Sequence, residues 1–167
     1  DGSGGARNTS AYIPALPTPG TANGGTAEPT EPVSIAEARS VADGTTITIS
    51  GVLTVSDQFA GSAYIQDATG GIAVFDQSVH GDGTFQIGDS ITLTGTRSAF
   101  NNQVQISPVT LVTGHGPANN PIEPVEISLA EMGNHPGELV RISGVSFPVP
   151  GDMLFGNSNY ILTDTAG

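Results

Sequence analysis

The sequence predicts an all-β chain built on one small closed barrel of five strands, and three observations predict it. Between residues 46 and 108, five short stretches alternate apolar and polar residues and are parted by Gly- and Asp-rich turns. Thr, Ser, Gly, Val and Ile dominate this interior, and 23 Gly with 12 Pro in 167 residues favour strands and turns over helices. The leading blocks of the barrel then recur in the same order further along the chain, so the sequence holds a second, partial copy of one module.

Element by element, Ser34 is placed to cap a short helix beginning at Ile35, with Glu37 in capping-box position, and Gly44 ends it. Strand 1 is expected from Thr46 to Val55, with Gly51 marking a bulge or sharp bend. Strand 2 follows from Ala63 to Asp67 and strand 3 from Ile72 to Asp76, joined by a tight turn through Ala68-Thr69-Gly70-Gly71. A loop carrying Gly81, Gly83 and Gly88 leads to strand 4, Ser90 to Arg97. Asn101-Asn102 turns the last hairpin into strand 5, Gln103 to Pro108, with a continuation to Val112.

The repeat is read from three blocks. Ser128-Leu129-Ala130-Glu131 matches Ser34-Ile35-Ala36-Glu37, and Ile142-Ser143-Gly144-Val145 matches Ile49-Ser50-Gly51-Val52. Tyr160-Ile161-Leu162 opens a segment matching Tyr64-Ile65-Gln66-Asp67. The expected division is an extended Pro/Gly/Thr-rich arm or linker over 1–32 and a barrel over 33–112. A linker over 113–124 and the front half of a second module over 125–167 follow. Strands 3, 4 and 5 of that second module have no counterpart before Gly167. The expectation is that either the natural chain continues or another chain completes it. With no Met at its start, the chain reads as a mature or excised piece.

Charge excludes more than it identifies. Sixteen acidic residues face four Arg, there is no Lys, and the net charge is −12. Phosphate backbones are held by Lys and Arg, so this balance argues against nucleic acid as a partner. Cysteine is absent, which removes disulfides and thiol chemistry. No apolar run reaches the length of a membrane-spanning helix. The absence of Lys, with abundant Thr, Ser, Asn and Gly and Pro-Thr spacers, predicts a secreted, extracellular protein.

Three further patterns were weighed for chemistry. His80, His115 and His135 stand far apart without metal-ligand spacing and read as surface or turn residues. Asp76, Asp82 and Asp89 lie among glycines, but their spacing does not match a calcium-binding loop. No metal and no cofactor is therefore expected, Ca²⁺ being the one ion considered. Gly156-Asn157-Ser158-Asn159-Tyr160 ends in Tyr and enters a strand, which rejects a nucleophile elbow. No catalytic constellation is visible, and a non-enzymatic chain is expected.

In the arm, Thr9, Ser10, Ala11, Tyr12 and Ile13 form a strand-like stretch confined by Pro14 and Pro17 to a sheet edge. Asn8 heads an N-glycosylation sequon, and Thr18, Thr21, Thr26 and Thr30 sit among prolines as in O-glycosylated stalks. Covalent glycans are the expected modification.

Ser50-Gly51-Val52, Tyr64-Ile65-Gln66-Asp67 and Gly88-Asp89-Ser90-Ile91, in that order, resemble the OB-fold modules of secreted bacterial multidomain proteins, including accessory domains of extracellular nucleases. The resemblance covers residues 33–112 and, as a front half, 125–167. Pro17 to Asn23 is similar to the tail of bacterial lamin-tail-like β-domains. An OB-fold implies a ligand face on strands 2 and 3, walled by the loops joining strands 1–2 and 4–5. Alternation puts Ile65, Ile72 and Val74 on one face and Tyr64, Gln66, Ala73 and Phe75 on the other. Phe59 falls in the first loop, and Arg97 and Phe100 flank the second. The ligand-face candidates are therefore Tyr64, Phe75, Phe59, Arg97 and Phe100, with Tyr64 and Phe75 able to stack bases or sugar rings. The plain alternative is that these aromatics cover the barrel mouth.

Two functions follow as expectations. The first is a structural or adhesive module whose partners are other copies of itself or adjacent domains. Its arm would add a strand to a neighbouring protomer, and head-to-tail repetition would give a filament. The second is an accessory nucleic-acid- or carbohydrate-binding module of a secreted nuclease.

Overall fold

A computed structural model describes residues 31–59, 61–147 and 160–164. Its centre is a closed barrel of five strands in the order β1-β2-β3-β5-β4, with β1 Thr46–Val55, β2 Ala63–Asp67, β3 Gly70–Val74, β4 Asp89–Phe100 and β5 Gln103–Pro117. Every adjacent pair is antiparallel except β3 with β5, which run parallel through Ala73–Gln105 and Val74–Ile106 and so close the sheet. This is the OB-like, all-β architecture expected from the strand count and spacing.

Alternation drives the closure. Ile49, Leu53, Ile65, Ile72, Val74, Ile91, Leu93 and Ile106 all point inward and are fully buried. The intervening positions of β1 and β4 face out as a hydroxyl ladder, with Thr48 against Thr94 at 2.8 Å and Ser50 against Thr92 at 2.6 Å. One end of the barrel is plugged by Ile35 and Ala38 of α1, Ile35–Ser40, and Val79 also joins the core. Ser34 caps α1 by accepting from the Glu37 backbone N–H at 3.2 Å, as its sequence position requires.

Four details depart from the sequence expectation. Helix α1 ends at Ser40, before Gly44. Gly51 is not the bulge; the register shift falls between Leu53 and Val55. Gly51 is instead a point of close approach, since a Cβ there would stand 2.6 Å from the Gln66 carbonyl oxygen. Strand 3 runs from Gly70 to Val74, two residues earlier than expected at both ends, and beyond it the Asp76 carboxylate accepts from the Ser78 and Val109 N–H groups. β4 and β5 are longer than expected, and residues 113–117, assigned to a linker from their Gly and Pro, extend the β4–β5 ladder to Asp89–Pro117. Most of that extension is exposed and carries no apolar alternation, so periodicity could not register it.

The second half carries two small two-stranded sheets. β6, Val125–Glu126, runs parallel to β7, Val140–Arg141, and β8, Val145–Ser146, runs antiparallel to β9, Thr163–Asp164. A 3₁₀ turn over Leu129–Asn134 takes the place of α1. Ile127 N–H donates to the Arg141 carbonyl at 2.9 Å, just as Val33 N–H donates to the Thr48 carbonyl at 2.9 Å. Ile127 and Val33 directly precede Ser128 and Ser34.

Candidate functional site

The outward face of β2 and β3 is where the site must be sought, and two of its side chains are not exposed. Ala73 is 1% and Gln66 6% exposed, although alternation points both away from the core. The cover comes from residues 135–139 of the second half, which lie across this face. Leu139 N–H donates to Gln66 Oε1 at 2.7 Å, and Arg39 Nη1 donates both to the Gly71 carbonyl at 2.8 Å and to the Pro136 carbonyl at 3.2 Å. One guanidinium nitrogen thus ties α1, β3 and the covering segment together.

Gly71 and Gly137 make this crossing possible. A Cβ on Gly71 would stand 2.0 Å from the Gly137 carbonyl oxygen, and one on Gly137 would stand 2.9 Å from the Gly71 carbonyl carbon. The two backbones meet with no side chain between them. Gly137 also has φ +82°, a left-handed conformation that glycine adopts without cost. Within the segment, His135 Nδ1 and Glu138 Oε2 lie 3.1 Å apart and hold the turn.

Asp67 sets the geometry beneath the crossing. Its carboxylate accepts from Ile35 N–H at 2.9 Å, Thr69 N–H at 2.7 Å, the Thr69 hydroxyl at 2.6 Å and Gly70 N–H at 3.2 Å. One carboxylate therefore satisfies the start of α1 and shapes the β2–β3 turn, which fixes where Arg39 and Gly71 meet. The sequence signal was present in Tyr64-Ile65-Gln66-Asp67, but nothing local reveals the helix as its partner.

The crossing leaves two cavities, both bordered by Tyr64 and Gly137. The larger, about 320 Å³, reaches Arg39 on one side and Asn101, Asn102 and Gln103 of the β4–β5 hairpin on the other. The smaller, about 230 Å³, opens toward Thr54 and Glu138. The Tyr64 hydroxyl is held by the Gln103 side-chain amide.

Of the five ligand-face candidates, Tyr64 alone borders these cavities. Phe75 sits past the end of β3, half exposed, with its ring 5.3 Å from that of His80. Phe59 is 77% exposed in the β1–β2 loop, and Phe100 is 65% exposed beside the hairpin turn. Arg97 is engaged elsewhere: its guanidinium pairs with Asp43 and donates to the Arg39 carbonyl at 3.2 Å. Its backbone also joins Gly44 and Thr45, so it anchors the loop after α1. The residues missed by sequence reasoning are Arg39, Gly71, Gln66, Pro136 and Gly137. Their role depends on a contact between segments about 65 or more positions apart, and no short motif encodes that. The arm residues Thr9–Ile13 and the glycosylation positions Asn8, Thr18, Thr21, Thr26 and Thr30 lie outside the described residues.

Asp82 and Asp89 serve their own loop, and Asp76 joins its loop to β5. Asp76 accepts from Ser78 N–H at 3.0 Å, from the Ser78 hydroxyl at 2.8 Å and from Val109 N–H at 2.9 Å. Burial pushes its carboxyl up, but these hydrogen bonds outweigh it and hold it below the usual carboxylate range. Asp82 accepts from Thr84 N–H at 2.9 Å, which also holds it low. Asp89 accepts from Gln86 N–H at 2.9 Å. Among the described residues no three His, Cys, Asp or Glu side chains converge as a metal site. His115 Nε2 lies 2.9 Å from Thr92 Oγ1, and the three histidines stay apart in separate local contacts.

No family model matches this chain, and no curated protein matches it. A solved structure, that of the hypothetical protein ygiW from E. coli, is similar over 55% of this chain and 99% of its own, at 22% identity and a TM-score of 0.43.

Proposed function

We propose that the chain is a non-enzymatic structural module of a secreted protein, and that the barrel's β2–β3 face serves to dock the segment that follows it. The observation that carries this reading is the crossing of residues 135–139 over that face, held by Arg39, Gln66 and the Gly71–Gly137 contact. An oligomer running along β2 and β3 would have to displace the segment, expose Gln66 and break the Leu139 bond. The net charge of −12 further disfavours a polyphosphate in that place. Docking turns two successive modules into one stiff unit, which suits a spacer or a building block.

Assembly in trans extends the same reading. The two small sheets of the second half have two residues per strand, too short to stand alone, and their edges are suited to extension by a strand from another copy. The strand-like stretch Thr9–Ile13 is the segment proposed to supply it, and head-to-tail repetition gives a filament.

The test is ¹⁵N relaxation combined with light scattering on the full chain. Docking predicts one rotational correlation time for the barrel and residues 125–141; independent tumbling of the two would overturn it. Trans assembly predicts mass that grows with concentration, and a clean monomer with a folded second half removes the filament while leaving docking intact.

A further inference from the structure

We propose that Asp82-Gly83 is a site of spontaneous isoaspartate formation, and that Asp57 guards it while the barrel is folded. The inference is independent of docking and of assembly.

Asp-Gly is the dipeptide at which this rearrangement is easiest, since glycine puts no side chain beside the attacking nitrogen. The Gly83 main-chain nitrogen gives up its proton and bonds to Cγ of Asp82, and the carboxyl oxygen leaves as water. Water then opens the resulting five-membered imide at the carbonyl next to Cα. The main chain now runs through Cγ, and the former main-chain carboxyl becomes the side chain. One water leaves and one returns, and no oxidant or further reactant takes part. Two Asp-Gly pairs fall among the described residues, Asp43-Gly44 and Asp82-Gly83.

Attack needs a free nitrogen and a neutral carboxyl, and the fold withholds both at Asp82-Gly83. Gly83 N–H donates to Asp57 Oδ2 at 2.9 Å, and Gly81 N–H donates to Oδ1 of the same carboxylate. A hydrogen bond given to a carboxylate is a strong one; it keeps the proton on the amide and fixes its direction. The Asp82 carboxylate in turn accepts from Thr84 N–H at 2.9 Å. That bond, joined by one from the Thr84 side chain, holds the carboxyl below its usual range and keeps it ionised, the form that resists attack. Asp82 and Gly83 are exposed, so their shelter comes from these bonds and not from burial.

Asp43-Gly44 is secured differently. Gly44 N–H donates to the Arg97 carbonyl at 2.8 Å, and the Asp43 carboxylate pairs with the Arg97 guanidinium. There the nitrogen is held by main chain, whereas at Gly83 it is held by one side chain. Asp82-Gly83 is therefore the pair that a single side-chain change opens. Its position gives the modification a consequence. Val79 on one side is buried in the core, and Phe85 on the other packs against it, its carbonyl accepting from Ser56 Oγ at 2.7 Å. An isoaspartate adds one carbon to the main chain between these two anchors, so this end of the barrel loosens as the protein ages.

The experiment follows isoaspartate by peptide mapping during warm incubation at mildly acid pH. It compares the full chain, its Asp57→Ala variant, and the parent unfolded in urea. The folded parent should gain isoaspartate at Asp82 about tenfold or more slowly than the unfolded chain, the factor that one charge-assisted hydrogen bond supplies. Asp57→Ala should raise the rate at Asp82 toward the unfolded value and leave Asp43 at the parent's rate. A parent that ages at Asp82 as fast as the unfolded chain overturns the proposal. So does an Asp57→Ala chain that matches the parent, or one that speeds up equally at Asp43. Hydrogen exchange on the parent carries the test if the variant does not fold. The Gly83 N–H should be protected about tenfold or more against the unfolded chain, and exchange at the unfolded rate overturns the guard.

Discussion

Gly71→Ala is the sharpest test of the crossing, because it adds one methyl group at a point where two backbones touch. The new Cβ would lie 2.0 Å from the Gly137 carbonyl oxygen and 2.3 Å from its carbonyl carbon. Non-bonded carbon contacts settle near about 3.5–4.0 Å, so residues 135–139 must withdraw by roughly 1.5 Å. No rotamer can relieve this, since both clashing atoms are main chain. Withdrawal breaks the 2.7 Å bond from Leu139 N–H to Gln66 Oε1 and the 3.2 Å bond from Arg39 to Pro136. Losing a buried acceptor's partner costs about 1–3 kcal/mol, with a smaller addition for the longer charged bond. Within the barrel the substitution is mild: Gly71 sits in an antiparallel pair with Gln66, and where alanine fits, reduced unfolded-state entropy stabilises by about 0.4–1 kcal/mol. Hydrogen exchange should therefore accelerate at Leu139 N–H by about 10- to 100-fold, at roughly 1.4 kcal/mol per factor of ten. The core amides of β1, β2 and β4 should keep their protection. Unchanged exchange at Leu139, with nuclear Overhauser contacts from residues 136–139 to β3 intact, would refute the reasoning.

Asp67→Ala removes one acceptor from four donors and should lower barrel stability by about 2–3 kcal/mol, read as a fall in Tm of several degrees per kcal/mol. Asp76 has a lowered carboxyl pKa, so its stabilisation is present above the ordinary carboxylate value near about 4 and is lost as pH falls through the lower folded value. Asp76→Asn should then melt below the parent at neutral pH, with the gap narrowing as pH falls below the ordinary carboxylate value; a gap constant with pH would contradict the linkage. Replacing Asn101 and Asn102 by Ala should cost about 1–2 kcal/mol per left-handed residue, while Gly at both should come close to neutral in chemical denaturation. Ile49→Ala, at a fully buried position, should cost about 2–5 kcal/mol in the same assay, and a much smaller loss would mean the barrel core is not packed around it.

What could be read from the sequence was governed by range. The five strands, the cap at Ser34 and the Asn101-Asn102 turn are all written in local alternation and turn chemistry. The helix stop at Gly44 and the bulge at Gly51 were misplaced because glycine signals need, not cause: Gly51 is demanded by the Gln66 carbonyl opposite. The extension of β5 to Pro117 was invisible because an exposed hairpin arm has no buried face to impose a period. Tyr64 could be placed beside the crossing because its strand and face were predictable. Arg39 was not, since a helix-borne arginine reads as a solvated charge until the Pro136 carbonyl is known to lie beside it.

The crossing also distinguishes repetition from function. Ser34 and Ser128 are each preceded by a residue whose N–H bonds a following strand, Val33 to Thr48 and Ile127 to Arg141. They do not share the clamp. Ser34 aligns with Ser128, and at the same spacing the place of Arg39 is taken by Gly133, which has no side chain to donate anything. Backbone pairing recurs because alternating sequence recurs; docking needs a guanidinium at one position and a bare backbone at another, and the second copy lacks the first of these. The contact is therefore specific, among the described residues, to the barrel's β2–β3 face. A second segment with the His135–Leu139 sequence should find no equivalent hold on residues 125–147. Adding the peptide 133–141 in trans should accordingly perturb only β2–β3 amides, and only where Gly137→Ala in the chain has displaced the native segment while leaving Gly71 bare for the peptide; perturbation at residues 128–134 would refute that selectivity.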